Sequence, residues 1–500
     1  LSVNYDPWGT GITYTGFCLM GLGCLLLLCA RDGGFRRLLR HPLIRKGGLF
    51  LIALFWGCQL KADPALPVVK LVQADSLAIQ QVVYNDRVAP FNTLARDFVQ
   101  KIYGRPSFHG ITPEQVVSSW MLYPEEWNRT PIIRIKNQEL RTALGLKEEY
   151  ASLNHLFDGT QYKLQPLWQR EQGNRSKLAQ AIQETDEKVG LILMLRQGTL
   201  VRPLPPDVPH LSTQKVNAEL WYNRIPFSKI LFMVNLTLGF AAFGLFMFRM
   251  LTGRKEKAVS RRVWGTALCL TTLFHATGYA LRGYIRGGFP LSNGYETMQF
   301  VALAVLLTAC LLQRRFPFTR PFGFLLSGFT LLVAYLGEMN PQITPLMPVL
   351  ASPWLSWHVS LIMISYGLFA FTFLNGILAL CLIGKQKNTA SPITGEQIEQ
   401  LTLLSRLLLY PGTFLLGTGI VLGAVWANVS WGSYWSWDPK EVWALAAFII
   451  YGISFHRKSL PYFQHPWLFH GYMILAFAVV LMTYFGVNYL LGGMHSYANS

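Results

Sequence analysis

The chain has 500 residues, of which 51% are hydrophobic, 14% aromatic and only 14% charged, with a formal net charge of +18. Soluble domains carry about 25% charged residues, so composition excludes both a disordered chain and a soluble nucleic-acid binder, despite the basic balance. The seven cysteines form no C-x-x-C pair, which argues against a thiol oxidoreductase or a disulfide scaffold.

A bilayer core about 30 Å thick takes roughly 17–25 apolar residues in a helix. By that measure the sequence predicts about ten transmembrane helices, at 10–30, 47–60, 227–248, 263–281, 296–312, 322–336, 359–383, 407–426, 442–455 and 467–490. The second is short, and Arg45-Lys46 before it gives it the look of a signal peptide. It is kept as a span because the charge asymmetry depends on it. With ten spans and both termini outside, the five inner loops hold 20 Lys and Arg, against three in the short outer segments after residue 229. The positive-inside rule then puts both termini on the outer face of a bacterial cytoplasmic membrane.

The fold class expected is therefore a polytopic α-helical membrane protein with one external, mostly helical soluble domain. Two helices occupy 1–62, the external domain 63–226, and an eight-helix membrane domain 227–500. The stretch 61–229 has 21 basic and 17 acidic residues, an ordinary balance for a folded domain. Thr112-Pro113-Glu114-Gln115 reads as a helix start, and 132–135 as a short strand. The four prolines in 202–209 suggest a linker back to the membrane.

Near the end of the chain, 426–443 concentrates Trp426, Trp431, Tyr434, Trp435, Trp437 and Trp443 between two spans. An interfacial aromatic belt places one or two such residues per helix end. Five tryptophans, with Gly432 and Pro439 to shape a turn, suggest a platform for a flat apolar ligand such as a porphyrin. His358 and His495 flank this turn on the same face, and two neutral imidazoles can fill both axial positions of a haem iron. His456 ends the ninth span on the inner face, where its position alone favours a headgroup-level polar residue. His275 lies mid-span, as a functional group or as a neutral imidazole bonded to a neighbouring helix, and His470 is in the same case. The cysteines fall in apolar spans and are expected to pack as small hydrophobes.

Residues 431–445, with Trp431, Trp435, Trp437, Asp438 and Glu441, resemble the tryptophan-rich (WWD) signature of the haem-handling proteins of cytochrome c biogenesis. Trp357-His358, Pro290 to Glu296 and Met494-His495 narrow the resemblance to the CcsA-type (ResC-like) subunit of the system II cytochrome c synthase, over about residues 225–500. The start of the chain, with Tyr5-Asp6-Pro7 and Gly16, is similar to the last span of the companion CcsB (ResB) subunit. Asn85 to Thr93 is similar to a segment of fused members, and a chain beginning at Leu1 is expected to be a fragment or a shortened fusion.

The resemblance implies a holocytochrome c synthase of the haem-lyase type, with haem b as substrate and an apocytochrome c bearing C-x-x-C-H as partner. A CcsB-like part or chain, a thiol reductant and membrane lipid are further expected partners, and nucleic acid is not. His358 and His495 become the outer haem ligands, and His456 an inner one. The inner partner lies in an early CcsB span in the family and has no counterpart here, since His41 sits in a basic loop. No acid–base pair is expected. Trp431, Trp435 and Trp437 would pack on the macrocycle, Asp438 and Glu441 would orient ligands or organise the turn, and Arg282 or Arg286 would meet propionates. Two alternatives stay open: a haem transporter or chaperone without ligase activity, and a bis-His membrane electron-transfer cytochrome.

Overall fold

A computed structural model describes residues 15–16, 66–159, 161–173, 176–252, 254, 256–337, 339–345, 352–388 and 392–491. The spans expected at 10–30 and 47–60, together with His41, lie outside these residues but for Thr15 and Gly16.

Residues 66–226 gather a hydrophobic core of their own. Labelled in chain order, its main elements are α1 (Leu71–Ala78), β1 (Gln81–Tyr84), β2 (Arg87–Pro90), α2 (Phe91–Tyr103), α3 (Pro113–Leu122), α4 (Lys177–Arg196), β3 (Arg202–Pro203) and α5 (Thr213–Arg224). Helix α2 buries Leu94, Phe98 and Ile102 at the four-residue spacing of one helix face. They meet Trp120 and Trp127, whose rings stack with centroids 5.9 Å apart. The expected start of α3 is present as a capping box, in which Thr112 Oγ1 accepts from the Gln115 amide and the Gln115 side chain accepts from the Thr112 amide. Ile133–Arg134 forms the expected strand, paired with Tyr150–Ala151. The proline-rich stretch is only partly a linker. Its first two residues add an edge strand, β3, to an antiparallel sheet of order β2-β1-β3, and an edge tolerates Pro203 because the missing donor can face outward.

The remaining elements are α6 (Phe227–Thr252), α7 (Ala258–Arg286), α8 (Gly294–Leu312), α9 (Thr319–Leu336), α10 (Pro353–Asn388), α11 (Pro392–Trp431), α12 (Pro439–Ile453) and α13 (Pro466–Leu481), the last continued by a π-helix over Met482–Leu491. Six described helices are long and apolar enough to cross a membrane: Phe227–Met250, Gly294–Leu312, Thr319–Leu336, Pro353–Gln386, Thr394–Trp431 and Pro466–Asn488. The protein is a multi-pass helical membrane protein. Two expected spans form helices that fall short of that measure. Helix α7 carries Arg261, Arg262, His275, Arg282 and Arg286, and α12 has only 15 residues.

Adjacent helices run antiparallel. His358 near the start of α10 meets Gly419 near the end of α11, and Asn375 donates to Ser405 Oγ (3.1 Å) midway along both. Asn235 and Ser327 tie α6 to α9 (3.1 Å), while His275–Gln299 (3.0 Å) and Arg282–Glu296 (2.8 Å) tie α7 to α8. His275 is thus bonded to a neighbouring helix. So is His470, whose Nε2 lies 2.8 Å from Thr402 Oγ1 on α11. Cys269 and Cys310 pack together between α7 and α8, with Sγ atoms 3.9 Å apart. The alternation gathers the end of α7, the starts of α8, α10 and α12, and the ends of α9 and α11 at one end of the bundle. That end carries the tryptophan-rich turn.

The 66–226 region docks on the same end. Arg87 pairs with Glu219 (2.5 Å) and donates from Nε to the Ile343 carbonyl (2.9 Å), and Asn85 donates to Gln342 Oε1 (3.2 Å). Beside them burial pushes the Asp97 carboxyl up to about 6, against the pull of Arg96, Gln342, Arg87 and Tyr84. An unfolded Asp titrates near 3.9, so the fold prefers the protonated form. Its contribution to stability is complete below about pH 4 and is lost as pH rises through 6. Asp97→Asn should remove that slope and stabilise the region by about 2–3 kcal/mol at pH 7. Hydrogen exchange of the β1 and α2 amides at pH 4.5 and 7.5, corrected for intrinsic rates, measures both effects.

Candidate functional site

The tryptophan-rich turn leaves α11 through Gly432, at φ +75°, and enters α12 at Pro439. Asp438 is the N-cap. Its Oδ1 accepts from the Lys440 amide (3.0 Å), and Glu441 closes a capping box by accepting from the Asp438 amide (3.2 Å). Glu441 also accepts from the Ser436 amide (2.9 Å), so one carboxylate holds two backbone donors of the turn on either side of Trp437. Of the two roles expected for Asp438 and Glu441, these contacts belong to organising the turn. Lys440 Nζ donates to Asn488 Oδ1 (2.9 Å), fastening the start of α12 to the π-helical end of the last helix. Asp438→Ala should cost about 1 kcal/mol of stability and Asp438→Asn much less, because Asn also caps, as thermal unfolding in detergent would register.

The rings divide into a buried base and an exposed surface. Trp426 is buried, and Trp431 packs edge-on against it at 4.8 Å. Trp435 and Trp437 meet at right angles, 6.0 Å apart. Trp437 is 73% exposed and sits at φ +59°, in the left-handed region that costs a non-glycine residue about 1–2 kcal/mol. The turn thus spends strain to hold a large apolar ring outward, a combination that concentrates at binding sites. Trp354 and Trp357 in the first turns of α10 are also exposed.

His358 is half-buried one residue further along α10. Its Nδ1 lies 2.6 Å from the Gly419 carbonyl oxygen on α11. A carbonyl only accepts, so Nδ1 carries the proton of the neutral ring and Nε2 the lone pair, the state of a metal-ligating imidazole whose second nitrogen is held by the protein. Helix α11 makes room for the ring. A Cβ on Gly423 would stand 2.6 Å from both Cε1 and Nδ1 of His358, and one on Gly419 would strike Ile362. These two glycines escaped the sequence reading; their four-residue spacing was visible, but not that their helix faces the histidine.

His495 lies outside the described residues, four positions beyond Leu491. His456 follows α12 at the opposite end of the bundle and is exposed, so the structure separates it from His358 by the length of the membrane helices. Arg282 is not where a ligand would find it. It is 1% exposed, and its guanidinium is engaged by Glu296 (2.8 Å), Tyr222 (3.2 Å) and the carbonyls of Pro341 (2.7 Å) and Gln342 (3.0 Å). Arg286 joins the same carboxylate at 3.0 Å. Arg282 builds the junction between the 66–226 region and the bundle through Tyr222, and Arg286 shares its carboxylate. Among the described residues, no group of three or more His, Cys, Asp or Glu could hold a bare metal ion. A metal delivered inside a macrocycle would need only axial donors.

Residues 291–495 match the family described as cytochrome C assembly protein. Over an alignment of 584 residues the whole chain is 31% identical to Protein NrfI of Wolinella succinogenes, and it spans 64% of that protein's length. It is 33% identical to the cytochrome c biogenesis protein CcsA of Synechococcus sp. (strain WH7803), with 52% of this chain aligned to 94% of that one. The CcsA of Prochlorococcus marinus (strain NATL2A) is 32% identical, with 52% and 93% aligned.

Proposed function

The chain belongs to the CcsA-type cytochrome c assembly proteins, and from that premise we propose that it holds haem b against the tryptophan-rich turn and joins it to an apocytochrome c. The supporting observation is the pairing of His358, with Nδ1 tied to Gly419, and an exposed aromatic surface at one end of the bundle. The distribution of Lys and Arg supports placing that end, both termini and the 63–226 domain on the outer face of the cytoplasmic membrane.

In this reading His358 and His495 hold the iron from opposite sides, and Trp431, Trp435 and Trp437 supply the apolar walls. Asp438 and Glu441 keep the turn in shape. The attachment adds each of two cysteine S–H groups across a haem vinyl group, sulfur to one carbon and hydrogen to the other. Nothing leaves, so the protein's task is positioning. Holding thiol and vinyl in contact can supply about 7–11 kcal/mol of an otherwise bimolecular barrier. The histidine of C-x-x-C-H then replaces one protein ligand and frees the product. His456 at the opposite end would receive haem from the inner side, with a CcsB-like span supplying its partner, and a thiol reductant would keep the apocytochrome cysteines open.

The test is co-expression of the chain with a C-x-x-C-H apocytochrome in cells lacking other maturation machinery, followed by haem staining after denaturation. Covalent haem on the apocytochrome is expected. Haem that copurifies with the chain without covalent product would instead favour the transporter, or the electron-transfer cytochrome if the bound haem cycles between redox states.

A further inference from the structure

Away from the tryptophan-rich turn, α6 ends, α7 and α9 begin, α10 ends and α11 begins around a common cavity of about 310 Å³. That volume lies at the lower edge of the roughly 300–1,000 Å³ typical of small-molecule sites. Its walls are strongly amphipathic. Leu245, Phe246, Trp264, Phe318, Leu378 and Leu382 line its apolar part, and Arg249, Arg254 and Arg320 its polar part.

The polar wall is ordered. Glu256 stands between two guanidiniums, 3.2 Å from Arg249 and 2.7 Å from Arg320. Arg249 also donates to Ser260 Oγ (2.6 Å), and Arg320 to the Arg261 carbonyl (3.3 Å). One carboxylate shared by two arginines leaves positive charge in excess. Arg254, exposed and lying over the Phe248 ring at 5.7 Å, adds to it. Glu396 is the second acid on the lining, and it accepts from Gln400 (3.2 Å).

We propose that this cavity is a binding site for an anionic phospholipid, with an acyl chain against the leucines and aromatics and the phosphate on the arginines. Three features favour that occupant. The cavity lies where the ends of membrane helices meet the headgroup layer, and its apolar and basic walls are adjoining, as a lipid requires. Guanidinium is the side chain best matched to phosphate oxygens. Basic pockets between transmembrane helices on the inner side are a recurrent way of holding acidic lipids, and the Lys and Arg distribution assigns this end to the inner side. The site rests on the membrane fold and is independent of the haem reading.

The test uses the purified full chain, delipidated in a nonionic detergent and titrated with phosphatidylglycerol or phosphatidylcholine of identical acyl chains, with retention read by native mass spectrometry. Phosphatidylglycerol should be retained at about tenfold lower concentration than phosphatidylcholine. Arg254→Glu, at an exposed position, should weaken that retention about tenfold. Gln397→Trp, which puts a bulky ring on the cavity lining, should weaken retention of both lipids, and both variants should keep the parental unfolding temperature. Equal retention of the two lipids, or phosphatidylglycerol retention untouched by both variants, would overturn the proposal. A third arm titrates haemin into the lipid-loaded His358→Ala/His456→Ala protein. If haemin displaces the lipid and Arg254→Glu weakens haemin binding, the cavity takes haem and the lipid assignment fails.

Discussion

Replacing His358 with alanine should lower covalent cytochrome c yield by more than about 100-fold if, as proposed, it is an axial haem donor, since nothing else at its position on α10 replaces it. The sharper variant leaves the histidine in place. In Gly423→Ala the new methyl would stand 2.6 Å from two ring atoms of His358. The ring must tilt, stretching the Nδ1–H bond to the Gly419 carbonyl that fixes its tautomer and direction. Disturbing such an outer partner typically costs about 10–100-fold in metal affinity, and a loss of that size is expected in haem retention and yield together. Helix propensity works the other way, because alanine favours a helix by about 1 kcal/mol over glycine. A protein as stable as the parent but poor in haem would therefore locate the fault at the ring. Gly452→Ala, where a Cβ meets nothing within 4 Å, is the control and should behave as the parent.

The second large effect concerns stability. Glu296 is 1% exposed and holds Arg282 at 2.8 Å and Arg286 at 3.0 Å, while accepting from the Ser292 amide (2.7 Å) and hydroxyl (2.6 Å). Glu296→Ala leaves two guanidiniums buried without their carboxylate. Breaking a buried pair from one side costs about 3–5 kcal/mol, so the variant should accumulate poorly and unfold at markedly lower denaturant concentration. The double change Arg282→Met/Glu296→Leu removes the principal charges together and should recover part of that loss. A Glu296→Ala protein within about 1 kcal/mol of the parent would show that the junction between the 66–226 region and the bundle is held by other contacts.

Much of this architecture was legible in the sequence because long apolar runs report directly on membrane helices. The runs at 227–248 and 359–383 correspond to α6 and α10, and Thr112 announced a helix start that the structure contains. The tryptophan-rich turn was conspicuous by composition alone. Pairwise geometry was less legible. Arg282 was expected to meet haem propionates, because nothing in a linear reading brings Glu296, Tyr222 and the carbonyls of 341–342 around one guanidinium. In a linear sequence Gly423 is one more small residue in a membrane helix, and only the antiparallel pairing of α10 with α11 gives it a histidine to accommodate. Helix α7 reads as a span by its apolar centre, yet its buried polar side chains lower its overall apolarity.

Whether haem is held at the tryptophan-rich end through His358 is read most directly by a haem titration of the purified chain and of His358→Gly, followed by visible absorption with and without added imidazole. The parent should show a low-spin, six-coordinate spectrum, the variant should lose it, and free imidazole filling the vacated position should restore it. Equal haem binding and an unchanged low-spin spectrum in His358→Gly without imidazole would rule out His358 as the ligand.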